Sequence, residues 1–285
     1  MPSTYTHYRF GNTVIPLLPS DLQEVVKKYR PLFDIGTHGP DIFFYHQPFH
    51  SDKVNKVGHR MHGETAAKFF LGVKNAYDNA NEYKDAMLAY LIGFCTHYCL
   101  DFSDHSYIES KIHKSNVSHT LIEVEYDRYL LVKDGLDPFK KDMASHLIPS
   151  TYNATVIQKC FTNFNVKVVK SSLKQMAFYV RLTNTGEGAK RNALMKLMKT
   201  IGAYDSLHEQ FIGLKPSAKC MDSNLRLDKL ERNARALFKE LAVNLRDFLN
   251  GDSELDERFG YTFSYQNGWE DIPVFNFEQE KEYEI

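Results

Sequence analysis

Apolar residues recur along this chain at intervals of three and four, the spacing of amphipathic helices. The segment 65–79 shows this clearly, with Ala66, Phe69, Phe70, Val73 and Tyr77 on one face. Similar patterns predict helices over residues 20–31, 84–103, 118–133, 137–147, 151–163, 165–184, 187–212 and 224–250. Strict alternation is scarce, although residues 164–169 would also suit a short strand. The pattern therefore predicts an all-α protein.

The segment 84–103 is the most apolar of these helices, with almost no charge between Asp85 and Asp101. A helix that is apolar around its whole circumference is buried, so we predict a multi-helix bundle packed around this central helix. We expect a single domain over 1–285, with supporting helices over 131–250. Residues 251–285 are expected to form an irregular arm that either packs back or is partly mobile.

Histidines and carboxylates cluster at helical spacing around the end of the central helix. His97 and Asp101, Asp101 and His105, and His119 and Glu123 are each four residues apart. Residues four apart share a helix face, so each pair can direct two ligand atoms at one point. Histidine and carboxylate are ligands for zinc and similar divalent ions. The pattern indicates a multinuclear metal centre and hence a metal-dependent hydrolase.

The simpler alternative is that His97 and Asp101 form an ordinary hydrogen-bonded pair. A carboxylate on so apolar a helix would cost several kcal/mol if unpaired, and a metal ion offsets that cost. The presence of three further candidate ligands, His105, His119 and Glu123, favours a metal site over an isolated hydrogen-bonded pair. Ten of the twelve histidines also lie between His7 and His119, which assigns the metal site to residues 1–130.

Composition narrows the function further. The formal net charge of −1 supplies no global field to attract nucleic acid or an anionic membrane. The four cysteines form no C-x-x-C motif, and the first twenty residues lack the pattern of a signal peptide. No apolar run approaches the roughly 18 residues of a membrane span. We therefore expect a cytoplasmic protein without a transmembrane segment, and the oligomeric state stays open.

These residues resemble the zinc-dependent phospholipase C family, which shares an all-α fold and a trinuclear zinc site with the S1/P1-type nucleases. The resemblance is strongest over residues 1–130, and beyond them it extends only to helix content. It is carried by AMLAYLIGFCTHYCLD (86–101), His105, His119-x-x-x-Glu123, GETAAKFF (63–70), Gly-Pro-Asp (39–41) and THYRFG (6–11). It implies a phospholipase C / P1 nuclease-like bundle.

The resemblance also implies a ligand set for two or three zinc ions. One zinc would be bound by Asp41, His97, Asp101 and a histidine of the GHRMHG segment, either His59 or His62, of which we choose His62. A second would be bound by His105, His119 and Glu123. Asp101 would bridge to a third, to which His7 contributes. Secreted relatives complete that third site with an N-terminal tryptophan, whose place the amine of Pro2 would take here.

In such a family the metals activate a water that attacks a phosphodiester phosphorus and stabilise the charge on the phosphoryl oxygens. We expect Asp41 and Asp101 to be the catalytic residues. Phe43, Phe44 and Tyr45 follow Asp41 directly and are expected either to pack under a loop or to line the substrate cleft. Asp104 is a candidate to orient His105.

Three hypotheses follow for the function. The first is a phospholipase C-like phosphodiesterase that acts on a phospholipid head group or a small phosphodiester. The second is a single-strand nuclease with the same site, which the near-zero net charge disfavours. The third is a non-catalytic protein with a structural metal. The remaining histidines are expected not to be ligands: His38, His46, His50, His113, His146 and His208.

Overall fold

The computed structural model describes residues 4–265 and 267–285. Within them the chain forms thirteen α-helices and no β-strand, which confirms the all-α prediction. No helix there is long and apolar enough to cross a membrane. The helices are α1 (Thr4–Val14), α2 (Ser20–Lys28), α3 (Arg30–Gly36), α4 (Asn55–His62), α5 (Ala66–Asp78), α6 (Lys84–Ser115), α7 (His119–Lys133), α8 (Thr151–Cys160), α9 (Val166–Thr183), α10 (Ala189–Thr200), α11 (Tyr204–Leu207), α12 (Met221–Asn250) and α13 (Phe277–Glu282).

Helix α6 is the central helix, and every residue from Ala86 to Asp101 is buried. It packs mainly against α3 and α12. Its start at Lys84 is as predicted, but it runs to Ser115 and not to residue 103. The buried side chains of Tyr107 and Ile108 extend its apolar face past the metal-ligand motif. Consequently His105 lies on the same helix as His97 and Asp101.

Side-chain hydrogen bonds cap the N-termini of two other predicted helices. Ser118 accepts a hydrogen bond from the backbone of Leu121 at the start of α7. The side chain of Asn165 likewise accepts a hydrogen bond from the backbone of Val168 at the start of α9. The cap places residues 166–169 in the first turn of a helix, so the alternative of a short strand over 164–169 is wrong.

Other boundaries differ from the prediction. No helix forms over 137–147, where the carboxylates of Asp137 and Asp142 accept backbone hydrogen bonds in local turns. The predicted helix 187–212 breaks after α10, where Gly202 has a φ of +71°. The predicted helix 20–31 is two helices, because Pro31 lies in the first turn of α3. Helices α1, α4 and α13 were not predicted.

The C-terminal arm packs back onto the bundle. Phe259 and Phe263 are fully buried. Helix α13 is held by Glu280, whose carboxylate accepts two hydrogen bonds of 2.8 Å from the guanidinium of Arg226 on α12. Both side chains of this ion pair are almost completely buried. A bidentate pair of this kind satisfies both charges away from water, and so anchors the arm.

Candidate metal centre

Four chain segments bring the first group of candidate ligands together. His7 comes from α1, Asp41 from the 3₁₀ turn Gly39–Phe43, His62 from the end of α4, and His97 from α6. Asp41 Oδ1 lies 3.0 Å from His62 Nε2 and 3.9 Å from His97 Nε2. These atoms all lie within 4.8 Å of one another and form a pocket suited to one cation.

Asp101 lies between different histidines. Its Oδ2 is 3.2 Å from His97 Nε2 and 3.8 Å from His62 Nε2. Its Oδ1 is 3.4 Å from His7 Nε2 on the other side. His7, His97 and Asp101 thus form a second potential cation site that shares His97 with the first. The carboxylate has the geometry expected of a bridging ligand.

A third group combines His105 of α6 with His119 and Glu123 of α7. His119 Nε2 lies 2.9 Å from Glu123 Oε1, and the rings of the two histidines have centroids 5.3 Å apart. His119 is half-buried, whereas Glu123 and His105 are buried. The ligand atoms of this group therefore converge, as the four-residue spacing in the sequence predicts.

Backbone contacts fix the orientation of several imidazoles. His62 Nδ1 lies 2.8 Å from the carbonyl oxygen of Gly58, and His105 Nδ1 lies 2.8 Å from that of Asp101. A hydrogen bond at Nδ1 leaves Nε2 available as a ligand atom. Gly39 has a φ of +49°, and a Cβ there would be 2.3 Å from His97 Cδ2. The absence of a side chain at Gly39 thus makes room for the His97 ring.

The donor atoms fit a divalent cation. The close polar contacts of Asp41 Oδ1 and His97 Nε2 are with other candidate ligands. Glu123 Oε2 is buried and lacks a hydrogen-bond partner within the described residues. Such orphaned groups are costly unless a ligand satisfies them. An internal cavity of about 10 Å³ is bordered by His7, Asp101, His105 and Glu123, among others. A buried set of imidazoles and carboxylates is the donor chemistry of zinc.

The carboxylates are held in their charged form. Burial opposes ionisation, but His97 and His105 lower the pKa of Asp101 well below its usual range. His97 and His62 likewise outweigh burial and lower the pKa of Asp41, and His119 does so for Glu123. The centre therefore presents three ionised carboxylates, which favour a cation.

The histidines of the centre differ in charge. Burial disfavours protonation of His62, but Asp41 and Asp101 outweigh it and raise its pKa to about 9. Burial and the neighbouring His97 lower the pKa of His7 to about 4. His7 is thus already neutral and able to bind a metal at pH 7, whereas His62 would release its proton when a metal binds.

Asp104 is also part of this interior, but not as predicted. Its Oδ1 is buried without a hydrogen-bond partner in the described part of the chain. Burial and the charge of Asp101 raise its pKa well above the usual range. It faces the small internal cavity together with Tyr126, which the sequence did not indicate. Asp104 is therefore a neutral carboxyl at this site, and no contact with His105 defines an orienting role.

The other histidines of the loop region belong to none of the three ligand groups. His46 Nδ1 is 2.7 Å from Asp52 Oδ2, and His50 is exposed. His59 is also exposed and packs on the Phe44 ring, so it is His62 that approaches Asp41. His38 and His146 are buried and pair with each other, with their Nε2 atoms 2.6 Å apart. This pair joins segments 108 residues apart, which the sequence pattern did not reveal.

The three aromatic residues after Asp41 have different environments. Phe43 is fully buried and packs on Phe161 and Phe164, with centroids 4.7 and 5.0 Å away. Its position corrects the expectation that it lines a substrate cleft. The Phe44 ring stacks on His62 at 5.0 Å. Phe44 and Tyr45 both border a large cavity beside the centre, so the expectation is retained for these two alone.

The comparison with known families agrees with this geometry. The family model for zinc-dependent phospholipase C matches residues 6–179, more than half of the chain and every candidate ligand. The chain belongs to the zinc-dependent phospholipase C family. No curated protein and no solved structure matches the chain.

Proposed function

We propose that this protein is a zinc-dependent, phospholipase C-like hydrolase that cleaves a phosphodiester bond. The observation that carries the proposal is the position of Asp101, whose two carboxylate oxygens face His7 on one side and His97 on the other. A purely structural zinc site is closed by four ligands around one ion. A carboxylate shared by adjacent ligand groups is instead typical of a multinuclear site in which neighbouring ions bind one phosphate.

The ligand groups support two or three ions. His105, His119 and Glu123 would hold one ion. Asp41, His62 and His97 would hold a second, with Asp101 as a shared ligand. His7 with Asp101 would contribute to a third. The amine of Pro2, expected to complete that site, lies outside the described residues. Zinc bound here would supply Lewis acidity toward the phosphoryl oxygens and lower the pKa of a water molecule.

The residues of the chain have separate roles in this proposal. Asp101 positions the ions relative to each other. Asp41 Oδ1 lies 3.0 Å from His62 Nε2 at the centre, and we assign this carboxylate the proton of the attacking water. The lowered pKa of Asp41 keeps it ionised at neutral pH. Phe44 stacks on His62 with ring centroids 5.0 Å apart and so helps to hold that imidazole in place.

The experiment is a parallel measurement of metal content and substrate class. Purified protein is analysed for zinc and assayed on bis-p-nitrophenyl phosphate, phosphatidylcholine and single-stranded DNA, before and after chelation. We expect two or three zinc ions per chain, with hydrolysis of the first two substrates abolished by the chelator. Zinc without hydrolysis would replace the proposal with a structural metal, and preferential cleavage of DNA would replace it with a nuclease.

A further inference from the structure

The C-terminal arm, residues 251–285, reaches the metal centre through Phe263. The Phe263 ring is fully buried, and its centroid lies 6.0 Å from that of His62 and 6.0 Å from that of His97. These separations are within the range of packed aromatic rings. Both imidazoles belong to the first group of candidate ligands. The arm lies beyond residues 6–179, the part of the chain that matches the family model.

Backbone contacts join the arm to the end of α4, where His62 is the last residue. The backbone N–H of Ser264 donates a hydrogen bond of 3.2 Å to the carbonyl oxygen of His62. Two residues earlier, Thr262 forms an antiparallel bridge with Thr65. Carbonyl groups in the last turn of a helix have no partner within the helix. The arm supplies that partner to His62, so it fixes the backbone of this candidate ligand.

The arm is also attached to α6, the helix that carries His97. Side chains on one face of α6 donate hydrogen bonds to backbone carbonyl oxygens of the arm. The pairs are Tyr98 with Arg258, Ser106 with Tyr265 at 3.1 Å, and Ser110 with Ile272 at 2.7 Å. The donors are spaced by eight and four residues, so they share a helix face. The arm is therefore held along α6 as well as at the end of α4.

These contacts connect two helices that carry different ligands of one group. Helix α4 has eight residues and packs mainly on the 3₁₀ turn Gly39–Phe43, which carries Asp41. The arm links α4 to α6, because it is hydrogen-bonded to both helices and packs the Phe263 ring on His62 and His97. A metal ion binds more tightly when its ligands are already held in place by the residues around them.

We infer that the arm is a positioning element of the metal centre: Phe263 fixes the imidazoles of His62 and His97 relative to each other, and so sets the affinity of this group for its ion. The inference rests on the ligand set of the proposed function. Phe263 is a positioning residue, since it acts through the two histidines. It has no ring contact with His105 or His119 in the described part of the chain, so the ion of that group should not depend on it.

A pair of leucine substitutions tests the role of Phe263. Phe263→Leu and Phe259→Leu each shorten a fully buried aromatic side chain of the arm. Phe259 is the matched control, because its ring contacts within the described residues are with Phe70 and Tyr98 and with no candidate ligand. Both variants should lower the midpoint of thermal unfolding of the metal-free protein by a similar amount, since each loses buried apolar contacts.

Metal binding should separate the two variants. Co²⁺ is titrated into the metal-free protein in competition with a chromophoric chelator, and the visible absorption of bound Co²⁺ reports the geometry of its ligands. Phe263→Leu should bind one ion about tenfold more weakly than the wild type, at the lower end of the roughly 10–100-fold effects of residues that support metal ligands. Its Co²⁺ absorption should change, while the ion at His105 and His119 keeps its affinity. Phe259→Leu should keep the affinities and the spectrum of the wild type.

Wild-type affinity and spectrum in Phe263→Leu would overturn the inference, and so would an equal loss of affinity in both variants. If a leucine variant does not fold, Phe263→Met and Phe259→Met decide the result, because methionine adapts to irregular space in a core.

Phosphodiesterase assays on the same samples separate this inference from the proposed function. If Phe263→Leu alone loses Co²⁺ affinity but the wild type hydrolyses no phosphodiester, the proposed function fails and the positioning role stands. If the wild type hydrolyses a phosphodiester and Phe263→Leu binds Co²⁺ as the wild type does, the positioning role fails and the proposed function stands. A wild type that binds no Co²⁺ would overturn both.

Discussion

Gly36 of α3 and Gly93 of α6 face each other with no room for a side chain on either. A Cβ on Gly93 would lie 2.2 Å from the carbonyl oxygen of Phe33, and one on Gly36 would lie 2.3 Å from that of Tyr90. The two helix backbones are therefore in direct contact. Since the turn that contains Asp41 follows α3, this contact sets the distance between Asp41 and the central helix.

The first prediction concerns this helix contact. Gly93→Ala should lower the free energy of unfolding by about 1–3 kcal/mol, because backbone atoms must move to admit the methyl group. The midpoint of thermal unfolding should fall by several degrees. Gly72→Ala on α5 is the matched control, since a Cβ there meets nothing within 4 Å. Gly72→Ala should be neutral or stabilising by up to about 1 kcal/mol, and equal effects of both variants would contradict the tight contact.

The second prediction separates the two carboxylates proposed as catalytic. Asp101→Asn should reduce both zinc content and hydrolysis, because one substitution removes a charge shared by neighbouring ions. Asp41→Asn should reduce turnover more than zinc content, by about 10²–10⁴-fold if Asp41 accepts the proton of the attacking water. Metal analysis and kcat on bis-p-nitrophenyl phosphate provide both readouts. Wild-type turnover in the two variants would show that the site is not catalytic.

The third prediction addresses the group formed by α6 and α7. Glu123→Gln should lower zinc content by about one ion per chain, because the neutral amide is a poor zinc ligand. The remaining ions should stay bound at Asp41 and His62. His113→Ala is the control, because His113 lies on the outer end of α6 and pairs with Glu109 at 2.8 Å. An unchanged zinc content in Glu123→Gln would exclude Glu123 as a ligand.

The fourth prediction follows from the buried pair of His38 and His146. Burial lowers the pKa of His146 to about 3 and that of His38 well below 6.5, the latter with help from the neighbouring imidazole. Between pH 6.5 and 3 the unfolded chain therefore binds more protons at these two positions than the folded chain. Their contribution to stability is complete above pH 6.5 and is lost as the pH falls.

Each histidine of this pair should make the free energy of unfolding fall by up to about 1.4 kcal/mol for each unit that the pH falls. Urea unfolding at pH 7.5 and 5.5 would measure the loss of stability in the wild type and in His146→Gln. The variant should lose about 1 kcal/mol less over this interval, because position 146 no longer takes up a proton on unfolding. An equal loss in both proteins would mean that His146 is not buried in its neutral form.

The part of the site on single helices could be predicted from the sequence. His97, Asp101 and His105 are spaced at four residues on α6, so the helix alone fixes their common face. His119 and Glu123 are likewise four residues apart, so they share one face of α7. His7 and Asp41 lie far from these residues in the sequence, and only the resemblance to the family pointed to them. Tertiary packing brings these two residues to the cluster, and no local sequence pattern predicts that packing.

Errors in the fold prediction also have local causes. Residues 137–147 have apolar positions at helical spacing, but Asp137 and Asp142 bind the backbone two residues ahead and stabilise turns instead. The pairing of His38 with His146 depends on contact between distant segments. The same is true of the wall that α10 forms in the large cavity beside the metal centre. The pattern of apolar residues predicts which faces are buried, but it does not specify the partner of each face.

The Arg226–Glu280 ion pair has a consequence for the order in which the chain folds during synthesis. Arg226 lies in the first two turns of α12, and its partner is made 54 residues later. Until then the guanidinium has no carboxylate to pair with at this position, and burying it alone would cost several kcal/mol. We therefore expect this end of α12 to pack only after α13 has been synthesised, with the guanidinium of Arg226 hydrated until then.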